Sequence, residues 1–366
     1  MHKSISQHSA TYHNYYPKQY IAPYLDHPLS NIDGDLTKPE WEMANWSDLF
    51  QDIRGNINQD QPPLGCSTRV KILWDDKYLY IGALLETDNA LYPVVTTFDK
   101  RNEPIYQQDS DFEVFVDPTC TTHHYKEFEA NAWNTVWNLM LDKPYLDGGV
   151  EHSGRVTQQK DSPLYYEVND QMSATKILEG SVNAHQGRTK WSMEIKMSFS
   201  DLLAVTSGEK PRIGKRWRIN FSRVERKGLV NWVWQPQIQW NGTSYTGEVN
   251  MHLPNAWGYL VFGGKSGSNS NHNQQDVKDP EWSIRMMAMN IYVAQHLYFD
   301  THGAYSPSLE ALTPWLDVEL AKAFPLVSFF ECSNQTFIGT IQDDTHQATI
   351  RNDRLLHVEA LFTQSS

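Results

Sequence analysis

Carboxylates offer the most suggestive chemistry in this chain. In Asp109-Ser-Asp-Phe-Glu-Val-Phe-Val-Asp-Pro118, Asp111, Glu113 and Asp117 alternate with Phe112, Val114 and Val116. Period two predicts a strand with an apolar face toward a core and an acidic face toward water. Asp117-Pro118 closes it, because proline cannot donate to a ladder. Glu127, Glu129 and Asn131 share one face of the next predicted strand. If the two faces coincide, Glu113 and Glu129 lie side by side. Such a pair can accept sugar hydroxyls, hold calcium through oxygen ligands, or act as acid and base of a glycosidase, whose carboxyls stand about 5–10 Å apart across a cleft. A wet acidic sheet face with no further role is the plain alternative.

Aromatic residues supply the other half of a sugar site. The 13 tryptophans and 18 tyrosines exceed what a core of this size needs, and Tyr106, Trp133, Trp137, Trp232, Trp234, Trp240 and Tyr245 fall in or near predicted loops. Sugar rings present apolar C–H faces to such side chains, while their hydroxyls need planar polar partners. Core packing is the competing use of any one tryptophan.

Other chemistries lack their residues. His123 and His124 are adjacent, and neighbouring side chains on an extended backbone point apart, so the pair is not expected to chelate a metal. Cys66, Cys120 and Cys332 are odd in number and widely spaced, which makes neither a disulfide framework nor a zinc pattern. No glycine-rich phosphate loop appears, so no nucleotide cofactor is expected, and no Gly-x-Ser-x-Gly elbow supports a serine hydrolase. We assign no catalytic residue. With 44 acidic and 31 basic residues the net charge is −13, which repels nucleic acid and anionic membranes. The dense basic stretch from Lys210 to Arg218, with Arg223, Arg226 and Lys227 beyond it, reads as the solvated face of a strand. The first twenty residues hold no apolar run, so neither a signal peptide nor a membrane span is expected; by default that reading is cytoplasmic, reversed if a leader is missing.

The elements that must position these residues are mainly β. Val70, Ile72 and Trp74 alternate with Arg69, Lys71 and Leu73, Asp75-Asp76-Lys77 turns the chain, and Tyr78 onward returns as a buried strand. Further strands are predicted at residues 125–131, 134–141, 171–178, 191–197, 216–224, 231–234 and 257–262. A short helical turn at 198–204 is expected to be capped by Ser200. Many strands and few helical patterns predict an antiparallel β-sandwich, jelly-roll or immunoglobulin-like, over residues 29–263. An N-terminal extension (1–28) precedes it. A Gly/Ser/Asn-rich linker (264–278) follows. Residues 279–366 read as a small α+β module: an amphipathic helix from Pro280 to about Asp300 with Trp282, Met286, Met289, Val293 and Leu297 on one face, a short helix at 308–316, and a hairpin of 328–341 with 348–358.

Several ordered motifs resemble family 9 carbohydrate-binding modules. They are Ile32-Asp-Gly-Asp35, Glu40-Trp41, residues 69–83, Asp109 to Pro118, and Pro254-Asn-Ala-Trp-Gly-Tyr-Leu260. Longer family 9-like proteins are also similar at Trp46-Ser47, Phe50 to Ile53, Asn131 to Trp137 and Asp142-Lys-Pro-Tyr145. The resemblance covers about residues 32–262. It implies a β-sandwich that binds sugars, often the end of a glucan chain, with structural calcium, and it opens a secreted location. Glu113 matches a carboxylate that contacts sugar hydroxyls. Tyr106 stands nearest to the expected first tryptophan, Glu129 occupies the place of an arginine, and Met251-His252 replaces a second tryptophan. The expected carbohydrate-binding residues are therefore Tyr106, Glu113, Glu129, Trp232, Trp234 and His252. A glycoside hydrolase or an accessory subunit of one, using Glu113 and Glu129, and a ligand-less scaffold whose tail docks a protein, are the rival readings.

Overall fold

The computed structural model describes residues 12–55, 60–156, 160–265, 277–324 and 328–361, the side chains of Ser328 and Phe329 excepted. Most of the expected linker, residues 266–276, lies outside them. The described chain divides into two compact units, one built from Lys18–Gln239 and Gly247–Lys278, the other from residues 12–17, Trp240–Thr246 and residues from Asp279 onward.

The larger unit is mainly β. It contains β1 (Gln19–Tyr24), α1 (Pro39–Glu42), β2 (Gln51–Asp52), β3 (Ser67–Trp74), β4 (Tyr78–Asp88), β5 (Asp111–Asp117), β6 (Tyr125–Asn131), β7 (Val136–Leu141), β8 (Gln171–Glu179), β9 (Arg188–Ser198), α2 (Phe199–Leu203), β10 (Arg216–Glu225), β11 (Val230–Val233) and β12 (Gly258–Lys265). These twelve strands make one sheet in the order β7-β6-β5-β10-β12-β1-β3-β4-β9-β8, with β11 beside β10 and β2 beside β11. All neighbours are antiparallel except β1, which runs parallel to both β12 and β3.

Alternation along the strands builds the core. Phe112, Val114 and Val116 of β5, Trp217, Ile219 and Phe221 of β10, and Leu260 and Phe262 of β12 share one buried cluster with Val70 and Ile72 of β3, Leu79, Ile81 and Leu85 of β4, and Trp191, Met193 and Ile195 of β9. The sheet therefore curls until its two halves face each other across common apolar side chains, each worth about 1.5–3 kcal/mol when fully buried. The β3–β4 turn is held by Asp75, whose Oδ1 accepts from the backbone N–H groups of Lys77 and Tyr78 at 2.7 Å each.

Four expectations change. The acidic face of β5 is not wet: every residue from Asp111 to Asp117 is buried. A second apolar cluster covers that face, with Ile53, Ile105, Met251 and Trp257 brought from loops onto Phe115, Trp137 and Leu139. The basic face of β10 is also covered. Arg218, on that face, donates to the Trp257 carbonyl at 2.7 Å; Arg223 lies on the other, core face opposite Phe112 and pairs with Glu225 at 2.7 Å, with both side chains about 1% exposed. Residues 19–24, placed in the N-terminal extension, form a strand inside the sheet. Finally, α2 is capped by Ser198, which accepts from Asp201 N–H, and Ser200 bonds instead to the Ser198 hydroxyl.

The smaller unit contains α3 (Trp282–His302), α4 (Leu309–Leu312), α5 (Val318–Ala323) and four antiparallel strands, β13 (Ser328–Cys332), β14 (Phe337–Gln342), β15 (His346–Arg351) and β16 (Leu356–Ala360). The single hairpin expected there is thus a four-strand meander. Gly303 ends α3 in the left-handed region at φ +72°, as the sequence suggests. The buried stripe of α3 is Ile284, Met287, Ala288, Ile291 and Ala294 rather than one through Met286, Val293 and Leu297. Two of its polar members bond within the unit: Gln295 exchanges hydrogen bonds with Ser306, and Asn290 accepts from Asp317 N–H through Oδ1 while its Nδ2 is left without a partner. Among the described residues no helix is long and apolar enough to cross a membrane.

Candidate functional site

Register decides which side chains meet on the outer face of the sheet. Glu113 stands opposite Glu129, Glu129 opposite Trp137, and Ser222 of β10 opposite Glu113. Directly opposed residues have Cβ atoms about 4.5–5.5 Å apart. Ser222, Glu113, Glu129 and Trp137 therefore form one row across four strands. Along this row runs a cavity of about 520 Å³, whose lining includes Glu113, Glu127 and Glu129 from the strands and Tyr106, Tyr145, Arg155, Asn250 and His252 from the loops.

Each loop is anchored locally. Asp109 accepts from the backbone N–H groups of Thr97 and Phe98 and from the Asn131 amide at 2.8 Å, which fixes the segment carrying Tyr106. The Tyr106 ring meets Trp137 edge-on at 5.5 Å. The Arg155 guanidinium lies 3.5 Å from the centre of the Trp137 ring and pairs with Glu151. The Tyr145 ring sits 4.6 Å from that of His252. His252 Nδ1 is 3.0 Å from the Tyr125 hydroxyl, and its Nε2 is 4.0 Å from Glu127. Burial pushes the His252 imidazole down to about 4, so it is neutral at neutral pH.

Carboxyl groups crowded under loops resist ionising. Burial pushes Glu113 up to about 7, against a hydrogen bond from Ser222. Burial, reinforced by the neighbouring carboxylates, holds Asp111, Glu127 and Glu129 well above the usual carboxylate range. Several of their oxygens lack a hydrogen-bond partner: both of Asp111, and Oε2 of Glu113, Glu127 and Glu129. The buried indole N–H of Trp137 is likewise unpartnered. Hard oxygen donors so placed suit a cation such as calcium, and among the described residues Asp111, Glu113 and Glu129 bring ligand atoms within 4.8 Å of one another. His123 and His124 form no such group; their rings stand 6.2 Å apart and nearly perpendicular.

On the same strand, Lys126 is 1% exposed and donates to the carbonyls of His124 and Ala204 at 2.7 and 2.6 Å. Burial pushes its amine down to about 7 from 10.5. Between those values the unfolded chain binds the extra proton, so stability should rise as pH climbs from about 7 toward 10. Thermal melts across that range should show the rise in the parent protein and a flatter profile in Lys126→Met.

Of the site residues proposed from the sequence, Tyr106, Glu113, Glu129 and His252 line this cavity. It does not gather Trp232 and Trp234. Both are buried in the core, Trp232 with its indole N–H on the Asp60 carbonyl at 2.8 Å. Alternation explains this, since it is Asn231 that reaches the cavity and Val233 that joins the outer cluster. Of the remaining aromatics, Trp133 is half exposed away from the lining, and Trp240 and Tyr245 belong to the smaller unit.

The family described as carbohydrate family 9 binding domain-like matches residues 32–253. The chain belongs to this family. No curated protein matches the chain. Among solved structures, a family 9 carbohydrate-binding module from Caldicellulosiruptor kristjanssonii in complex with cellotriose is 16% identical, covering 69% of this chain and 97% of that one, with a TM-score of 0.39. A Bacteroides uniformis protein described as carbohydrate-binding is 15% identical, covering 67% and 99%, with a TM-score of 0.44.

Within this family 9-like domain, the sequence offered Trp137 among the loop aromatics without placing it in the site, and Tyr145, Glu151 and Arg155 were missed. Trp137 could have been found, since pairing Glu113 with Glu129 places the residue opposite Glu129 on the next strand. Arg155 had no such signal. It comes from a loop and brings a guanidinium into the cavity lining.

Proposed function

We propose that the cavity binds the end of a carbohydrate chain without chemically changing it. The observation that carries this reading is the row of Glu113, Glu129 and Trp137 beneath loops bearing Tyr106 and Tyr145, in a chain of a carbohydrate-binding family. Tyr106 and Tyr145 are 36% and 46% exposed and offer flat faces to sugar C–H groups. Glu113 and Glu129 exchange hydrogen bonds with hydroxyls, donating when protonated and accepting when not. Arg155, with an unpartnered Nε, serves as a further donor. We read the curled sheet as the jelly-roll-like sandwich of the family, and the smaller unit as an α+β module open to a protein partner.

A hydrolase fits the same residues less well. Its two carboxyls flank the scissile bond from opposite sides, whereas Glu113 and Glu129 stand side by side on neighbouring strands.

Isothermal titration against cello-oligosaccharides and a broad glycan panel checks the binding reading. Glu113→Gln and Tyr106→Ala should each weaken binding at least tenfold, about 1.4 kcal/mol, with circular dichroism unchanged. Binding indifferent to both substitutions would remove the cavity from consideration.

A further inference from the structure

We propose that Asp111, Glu113 and Glu129 form a binding site for one divalent, oxygen-loving cation of the calcium type at the base of the cavity, with coordination positions left open toward it. The resemblance to family 9 implies structural calcium without placing it; here particular residues are assigned. Three ligand oxygens within 4.8 Å of one another suit a cation held at about 2.3–2.6 Å from each.

Asp111 argues for an ion rather than for sugar hydroxyls alone. It is completely buried, both of its oxygens lack partners, and it is not part of the cavity lining. A sugar in the cavity reaches Glu113 and Glu129 but leaves Asp111 unsatisfied. An ion seated between the three carboxylates engages all of them. Unsatisfied buried polar atoms are rare in native proteins and point to a missing water or ion.

Protein cations do not fill this role. Arg223 lies on the core face of β10, paired with Glu225, and Arg155 is held over the Trp137 ring beside Glu151. The ligands are also rigidly held: Asp111 and Glu113 are two residues apart on one face of β5, and Glu129 is fixed opposite Glu113 by the ladder. Binding therefore requires little rearrangement. Facing the cavity, the open positions would take water or adjacent hydroxyls of a sugar; this last step rests on the carbohydrate reading, whereas the ion site does not.

The test is calcium chloride titrated calorimetrically into the full chain after EDTA treatment and desalting. One saturable site is expected, weakened at least tenfold in Asp111→Asn and in Glu129→Gln and unchanged in the exposed control Asp76→Asn. Circular dichroism confirms folding, and Glu129→Gln decides the matter if Asp111→Asn does not fold. Absence of saturable binding, or isotherms unaltered in both variants, overturns the site. A glycan array with calcium and with EDTA separates the two ideas. Sugar binding in a protein that takes up no ion removes the cation and leaves the carbohydrate reading standing. One bound calcium with no glycan retained does the reverse.

Discussion

Glu194→Ala should destabilise the larger unit by about 3–5 kcal/mol, the usual consequence of breaking a buried charged network. Glu194, on β9, is fully buried. Its carboxylate accepts from the backbone N–H groups of Asp33 and Gly34 at 2.9 and 2.8 Å, from the Trp41 indole at 2.6 Å and from Lys38 Nζ at 2.6 Å. Alanine would orphan the two backbone N–H groups and the indole, and would leave Lys38 without its buried partner, with only Asp33 and the Asn31 carbonyl to receive it. Gly82, opposite Glu194 on β4, makes the arrangement feasible: a Cβ there would fall 2.7 Å from Leu36 and 3.2 Å from the Trp41 ring. The measurement is a urea denaturation midpoint, which should fall with an unchanged slope. Glu194→Gln keeps an acceptor of the same shape and should lose less.

Arg223→Met should cost a similar amount, about 3–5 kcal/mol, because it strands the Glu225 carboxylate in the core. Arg223 donates through Nε to Glu225 at 2.7 Å and through Nη1 to the carbonyl of Glu86 at 2.9 Å. It thereby ties β10, from one half of the curl, to β4 in the other. Burial already pushes the Glu225 carboxyl upward, with Arg223 the main opposing influence. The double replacement Arg223→Met with Glu225→Leu should recover most of the loss, since no uncompensated charge remains. A double-mutant cycle showing simple additivity would contradict this account.

Much of the fold could be read from local pattern. The hairpin of residues 67–88 follows from strict alternation and one aspartate-led turn, and α3 from its spacing and its terminal glycine. What escaped depended on partners distant in sequence. The outer face of β5 looks polar in isolation, and only Ile53, Ile105, Met251 and Trp257 together bury it. Arg218 and Arg223 look solvated until the Trp257 carbonyl and Glu225 are placed beside them. Trp232 and Trp234 resemble ligand contacts by composition, yet parity along β11 turns them inward. The carboxylates at the centre of the site were legible because cross-strand register follows directly from two adjacent strands. The loop residues Tyr145 and Arg155 have no periodicity to reveal them.

The parallel strand β1 has a consequence for how the protein is made. Gln19 pairs with Tyr259, and Tyr24 reaches both Trp74 and Lys265, so the first strand of the sheet in sequence sits in its middle, between a partner made soon after it and the last strand of the sheet to be made. Such long-range pairing delays closure until nearly all of the unit exists. Until then β1 and β10, the strands between which β12 inserts, each present an open edge, the kind of surface on which nascent chains aggregate. Slowing translation shortly after residue 265 would be expected to raise the yield of soluble protein more than slowing it anywhere earlier.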